Sequence, residues 1–465
     1  MKILFIQFAS GYYVAPMLLS SILKKHRHKV EILVESEVDK ILSYINKSGP
    51  NIVAFSCTTG NHLWVSDTAK KIKRRFDVTT IIGGPHPTYF SELITKEGVD
   101  IIAKGEADFA IAEVADKIEN GKDITSVKNI WIKKEGRVYK NELDNLLADL
   151  DKLPFPDRDL YVKGAEFNST GFVAGRGCPY DCSYCFNHIS KEMYKGKGKY
   201  VRMRSFQNII AEIESVKKRH NLKKVIFNDD IFILNREWLN KFTKQYLKKI
   251  KMPYKCFVRA NLVDEELVKL LKKGLCETVY FGIESGDEEL RKSVLNKNVS
   301  DEQLIKTGKL FHKYGITIGT FNMMGIPSET VEQALKTIRI NRIIKTDFPR
   351  IMLLQPYPKT KVSEFAVEKG YMDELNPDEF GKSFLKKSLI TQENISRLIN
   401  IQRMSYFGIR SKLMEPLIKQ LSKLPENFLF ELLFLFSLSL INAKETKQNL
   451  FITALKGLKV VKQAF

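Results

Sequence analysis

The stretch GRGCPYDCSYC, residues 175–185, decides the fold. It sets Cys178, Cys182 and Cys185 at C-x3-C-x2-C spacing, directly after an apolar run expected to be a strand at 172–175. Thiolates are soft ligands that suit iron–sulfur clusters or zinc. Three on one tight loop hold three corners of a cubane and leave the fourth iron open. A catalytic metal needs such an open position, whereas a structural site closes all four. Zinc is the competing reading, with His188 as a nearby fourth ligand, although zinc motifs usually pair two C-x2-C hooks. Gly175 and Gly177 let backbone approach closely.

Outward from this loop, residues 171–370 repeat a strand–helix unit six times. Strands are expected near 172–175, 224–228, 255–259, 278–283, 316–323 and 350–355. Ser300-Asp-Glu-Gln303 reads as a capping box with Gly315 just beyond that helix, and Asp264 caps a helix that Gly274 ends. Six such units predict an open, three-quarter (β/α)6 version of the TIM-type barrel, whose chemistry gathers at the C-terminal strand ends. Polar or turn-forming residues stand at those ends: Asn228-Asp229-Asp230, Arg259, Glu284-Ser285-Gly286, Gly325-Ile326-Pro327 and Gln355-Pro356. Glu284 and Asp229 or Asp230 can accept hydrogen bonds from hydroxyls or an amino group. Arg259 can grip a carboxylate with its planar fork. Arg202 and Arg204 suit either a ligand contact or an ion pair with a barrel carboxylate.

Residues 1–120 alternate short apolar strands (2–8, 29–34, 51–56, 79–82 and 100–103) with helical patterns, as in a Rossmann-like, doubly wound α/β sheet. Such sheets bind ligands at the carboxyl ends of their strands. The loops there are FASGYY, SCTTGN, GGPHPT and KGEADF, rich in small residues: Gly11, Ser56, Thr58, Thr59, Gly60, Gly83, Gly84 and Gly105. His86 is either a ligand contact or a loop-shaping residue. No G-x-G-x-x-G follows the first strand, which argues against a nicotinamide site. Residues 121–170 read as a linker holding a small hairpin (130–133 with 136–139) and LPFPDRD. Residues 371–465 read as helical. Within them Phe428–Ile441 is almost continuously apolar, as in a helix packed on the barrel or an interfacial membrane helix.

Six cysteines, three of them in eight residues, make a poor disulfide framework for 465 residues, and Cys57, Cys256 and Cys276 read as structural. The sequence shows no signal peptide and no spanning segment, so a cytoplasmic enzyme is expected. The net charge of +21 is spread out: residues 1–150 hold 21 basic and 19 acidic residues, and residues 391–465 hold 11 and 5. No RNA-binding module or arginine-rich arm accompanies it, so no nucleic-acid partner is expected.

With Tyr184 before its last cysteine, the C-x3-C-x2-C loop resembles the signature of radical S-adenosylmethionine (SAM) enzymes. The resemblance implies a [4Fe-4S] cluster on Cys178, Cys182 and Cys185, whose free iron binds the amino and carboxylate groups of SAM. An electron then splits the sulfonium to a 5′-deoxyadenosyl radical that takes a hydrogen from substrate. It further implies Tyr184 against the adenine, and SAM contacts from Asp229, Asp230, Arg259, Glu284 and Ser285. The N-terminal loops and LPFPDRD resemble the cobalamin-binding radical SAM enzymes of the anaerobic magnesium-protoporphyrin ester cyclase group, over roughly residues 1–370. This implies cobalamin contacts from Gly11, Ser56, Thr58, Thr59, Gly83, Gly84, His86, Gly105 and Glu106. The D-x-H-x-x-G motif is absent, so no histidine lower ligand to cobalt is expected.

The function implied is methylation of an unactivated carbon, with radical cyclisation or carbon–carbon bond formation without net methylation as the alternative. A tRNA methylthiotransferase would need three N-terminal cluster cysteines where only Cys57 occurs. A non-catalytic cobalamin or redox sensor would not cleave SAM. Expected partners are a small-molecule or lipid-like substrate, an external electron donor such as flavodoxin or ferredoxin, and a peripheral membrane contact through the basic, partly apolar tail.

Overall fold

The computed structural model describes residues 1–8, 11–161, 169–374, 377–380 and 387–449. Two residues of FASGYY, the end of the linker (162–168) and the tail 450–465 lie outside them.

Strands β1 (Lys2–Gln7), β2 (Lys29–Val34), β3 (Ile52–Ser56), β4 (Thr79–Gly83) and β5 (Ile101–Ala103) pair in parallel in the order β2-β1-β3-β4-β5. The order reverses beside β1, which opens a crevice over the loops that follow β1 and β3. The middle strands read as unbroken apolar runs because helices cover both faces, giving two buried clusters. The hairpin expected within the linker instead extends this sheet. β6 (Ile130–Lys134) pairs antiparallel with β5, and β7 (Arg137–Lys140) pairs with β6. Strand β5 is only three residues long, and pairing with β6 covers its open edge with buried Ile130 and Ile132.

The second sheet is parallel throughout, in the order β15-β14-β13-β12-β11-β8, with β8 (Ser169–Phe172), β11 (Lys224–Phe227), β12 (Tyr254–Phe257), β13 (Cys276–Glu284), β14 (Thr317–Met324) and β15 (Phe348–Leu353). This is the open barrel. Its first strand begins and ends three residues earlier than expected. The reason is that β9 (Gly175–Arg176) leaves the sheet and pairs antiparallel with β10 (Arg202–Met203). A Cβ on Gly175 would stand 2.7 Å from the Arg202 carbonyl, and one on Gly177 would stand 2.5 Å from the Tyr200 carbonyl. Both glycines therefore serve the seating of the cysteine loop against this ribbon.

The Ser300 capping box forms, and Gly315 takes the left-handed turn after its helix (φ +61°). Gly274 does cap the helix Glu265–Lys273, but with φ −74°; the left-handed position falls to Leu275. Cys57, Cys256 and Cys276 are buried. The linker is tied down by Arg158, fully buried, which donates to Glu212 (2.8 Å) and Thr170 (2.8 Å).

Among the described residues, three helices follow the barrel: Ile395–Arg410, Met414–Leu421 and Phe428–Thr446. The last buries Phe430, Phe434 and Ile441 and exposes Phe428, Leu429, Leu432 and Phe436. Its end bolts onto the barrel through Glu445, which pairs with Lys255 (2.9 Å) and Arg350 (2.5 Å). No helix among the described residues is long and apolar enough to cross a membrane.

Candidate active site between two domains

Cys178, Cys182 and Cys185 are unbridged and line one cavity of about 440 Å³ at the C-terminal ends of β11, β12 and β13. Among the described residues, the three thiols do not gather within 4.8 Å of one another, as the ligands of a single ion would, and His188 does not join them. With zinc–sulfur bonds of about 2.3 Å, one tetrahedral ion needs a tighter set. Three soft sulfur donors on one loop, lining one cavity, fit a multinuclear iron–sulfur cluster. Burial pushes the Cys178 thiol up to about 11 and raises Cys185 as well, so in the free protein these sulfurs keep their protons; a bound metal reverses that preference.

Around the thiols stand inward residues of alternate strand positions: Phe257 and Arg259, then Tyr280, Gly282 and Glu284, then Phe321. A register shift between Gly282 and Glu284 re-aims the carboxylate, and Glu284 holds a positive φ of 70°. Tyr184 donates its hydroxyl to Glu284 Oε1 at 3.0 Å, and Lys297 Nζ donates to the same oxygen at 2.8 Å. A Cβ on Gly282 would stand 1.9 Å from Glu284 Oε1 and 2.5 Å from Lys297 Nζ, so a side chain there would displace this pair. Arg259 donates to Cys182 Sγ at 3.4 Å and lies 3.8 Å from the centre of the Tyr180 ring. Asn187 reaches both Cys185 Sγ and Asp230, at 3.4 Å each. A cluster face, a paired carboxylate, a guanidinium and aromatic walls form a chamber suited to SAM, which carries an amino acid head and an adenine ring.

Both aspartates line the chamber, but they are held differently. Asp229 is buried and accepts from the backbone N–H groups of Ala174 (2.9 Å) and Gly175 (2.6 Å). It anchors the start of the cysteine loop, its second oxygen has no partner, and burial lifts its carboxyl to about 7. Asp230 opens into the chamber, its carboxyl also raised by desolvation. Ser285 is fully buried outside the chamber lining, where its hydroxyl accepts from the Asp287 N–H at 3.2 Å.

The N-terminal loops border a separate cavity, which shares no lining residue with the cysteine chamber. Gly83, Gly84, Gly105 and Glu106 line a largely apolar cavity of about 400 Å³ between the domains. A smaller apolar pocket of about 80 Å³ shares Gly83 and Gly84 with it and reaches Ser56, Ala54 and Phe5. Small residues and apolar walls at the sheet's switch point fit a large cofactor with an extended tail. Gly11 lies exposed with its carbonyl accepting from Gln7 (3.0 Å), and the Thr58 N–H donates to Asn61 (2.8 Å). Thr59 and His86 share a hydrogen bond of 3.0 Å, and the buried His86 ring stacks on His62 at 4.1 Å. Desolvation holds His86 down at about 3, so it stays neutral. It lines neither cavity.

Ion pairs and rings join the two loop systems. Arg176 pairs with Glu106 (2.8 Å) and Asp108 (2.6 Å), and Arg202 pairs with Glu106, so the KGEADF acids hold the cysteine-loop ribbon. Arg204 pairs with Glu212 (2.5 Å). Glu106 also donates its N–H to Tyr194 (2.7 Å), and Gly105 must lack a side chain because a Cβ would stand 2.1 Å from that hydroxyl. Phe186, next to Cys185, stacks on Tyr89 at 4.1 Å. Sequence reasoning missed Lys297, Asn187, Tyr180 and Tyr89. Period-two alternation could have found Phe257, Tyr280 and Phe321, whereas Lys297 lies on an irregular segment without a pattern.

A doubly wound domain that delivers its ligand loops onto a three-cysteine barrel defines a two-cofactor enzyme. Residues 172–340 match the radical SAM superfamily, and residues 12–115 match the B12 binding domain. The chain is thus a radical SAM enzyme with a cobalamin-binding domain ahead of its barrel. It is 27% identical over 408 residues to an uncharacterized methyltransferase of Pyrococcus horikoshii, covering 84% of this chain and 86% of that protein. It is 24% identical over 337 residues to the anaerobic magnesium-protoporphyrin IX monomethyl ester cyclase of Rubrivivax gelatinosus, spanning 69% of this chain and 59% of the cyclase. The fold matches that of a radical SAM methyltransferase of Kitasatospora setae, solved with tryptophan and a SAM analogue (TM-score 0.66, 17% identity, 81% of this chain and 77% of that one).

Proposed function

We propose that this enzyme methylates an unactivated carbon of a small-molecule or lipid-like substrate. One observation carries the reading: the cysteine loop and the cobalamin-domain loops are locked to each other by Arg176–Asp108 and Tyr89–Phe186, so that both cofactors would meet one substrate. When bound, the cluster with SAM supplies a hydrogen-abstracting radical, and cobalamin supplies the methyl group. An external reductant such as flavodoxin or ferredoxin is part of this reading.

The protein's own residues do the positioning. Cys178, Cys182 and Cys185 would hold the cluster. Glu284, fixed by Tyr184 and Lys297, presents its second carboxylate oxygen to an amino group. Arg259 offers its fork to a carboxylate. Phe257, Tyr280 and Phe321 give the chamber an aromatic wall. Similarity to the Pyrococcus horikoshii methyltransferase over most of both chains favours methyl transfer. Similarity to the cyclase supports radical cyclisation without net methylation as the second reading.

The test is anaerobic reconstitution with iron, sulfide and cobalamin, followed by reduction in the presence of methyl-labelled SAM and a metabolite extract. Methyl transfer requires label in a product together with 5′-deoxyadenosine. A product that forms without label supports cyclisation. Cys182→Ala should abolish SAM cleavage while cobalamin stays bound; cleavage by that variant would refute the site.

A further inference from the structure

We propose that the C-terminal helices dock this enzyme on an anionic lipid surface. Large apolar side chains scattered singly over a surface are ordinary. Here seven of the sixteen exposed large hydrophobic residues among the described residues fall within residues 413–436. Leu413 is 86% exposed, Phe428 71% and Leu429 63%, and Leu417, Leu424 and Leu432 are exposed in the same segment. Leu413 and Leu417 stand one helical turn apart, as do Phe428 and Leu432, so each set shares a face. The opposite face of the last helix is spent on the barrel through Phe430, Phe434 and Ile441.

Charge decides what covers this face. Among the described residues, 391–449 hold 8 basic and 5 acidic residues. Of the acids beside the patch, Glu415 is matched by Arg339 and Arg342 and Glu426 by Arg403, while Glu431 stands in the first turn of the last helix. Lys412 and Lys423 stand exposed beside the leucines. A second copy of this chain would bring an equally basic face and be repelled. Anionic head groups above an acyl layer complement both the lysines and the leucines. No described helix can cross a bilayer, so the contact lies in the interface. Because Glu445 at the far end of the same helix is paired with Lys255 and Arg350, docking the patch would orient the whole barrel on the membrane.

Flotation of the reconstituted full chain with vesicles tests this. Binding is expected to phosphatidylglycerol-containing vesicles, not to phosphatidylcholine alone, and should vanish near about 1 M salt, where the screening length falls to ~3 Å. Phe428→Glu with Leu429→Glu should weaken partitioning about tenfold or more. Lys412→Gln and Lys423→Gln should each weaken it about fivefold. Bound iron and melting temperature, unchanged in these surface variants, separate lost docking from misfolding. Full flotation of the Phe428/Leu429 variant, equal binding to neutral vesicles, or a wild-type dimer that this variant dissolves without vesicle binding would each overturn the proposal. Loss of methyl transfer with docking intact would count against the catalytic reading alone.

Discussion

Tyr89 and Phe186 stack with ring centroids 4.1 Å apart and planes 15° from parallel, and the Tyr89 hydroxyl lies 2.5 Å from Ser190 Oγ. One residue ends the helix that follows the Gly83-Gly84 turn; the other follows Cys185. This contact, with Phe186 also beside Tyr357 (5.8 Å), carries the position of the cobalamin-domain loops directly to the cysteine loop. Aromatic pairs of this kind contribute about 0.5–1.5 kcal/mol beyond their burial, enough to fix a relative placement.

Tyr89→Ala should therefore uncouple the two cofactors more than it unfolds the protein. SAM cleavage should persist, while the ratio of 5′-deoxyadenosine to labelled product rises roughly tenfold, since small misplacements of reacting groups cost rates on that scale. Product and deoxyadenosine quantified in the same reaction check this.

Lys297→Ala removes one of the two donors to Glu284 and leaves a buried carboxylate short of its cation. Truncating one partner of a desolvated pair costs about 2–5 kcal/mol. SAM affinity should drop at least about tenfold in an anaerobic binding titration, with iron content unchanged. Lys297→Arg should recover part of it.

Glu329 is fully desolvated and accepts from the Gly325 (2.7 Å) and Ile326 (3.2 Å) N–H groups; burial lifts its carboxyl to about 8. The native state therefore holds a proton that the unfolded chain has already released. This contribution to stability is complete below about pH 4.5 and is lost as pH rises to about 8, at up to about 1.4 kcal/mol per pH unit. Glu329→Gln keeps a neutral group there, so urea melts should show its stability advantage over the parent growing from pH 5 to pH 8. A constant difference across that range would contradict the assignment.

His86, neutral, stacked on His62 and bonded to Thr59, is committed to the loop. Cobalamin bound in its cob(II) state should show no axial nitrogen coupling from histidine in electron paramagnetic resonance. The spectrum should not change in protein carrying nitrogen-15 histidine. His86→Ala should loosen cobalamin binding without changing that spectrum.

What the sequence by itself determined is local. The cysteine spacing, the strand–helix alternation in both halves, the Ser300 and Asp264 caps and the polar strand ends are written in neighbouring residues, where backbone geometry and ligand spacing act over a few positions. Tertiary structure alone decided the rest. It drew β6 and β7 into the first sheet to cover the edge of β5. It set Glu106 against Arg176 and Arg202, 70 and 96 residues away, and tied one oxygen of Asp229 to the backbone while Asp230, beside it in the chamber lining, is not so held. It also brought Lys297 to Glu284. Such pairings follow from packing and from matching buried charges across the domain boundary, and no local pattern encodes a partner that only the folded chain brings near.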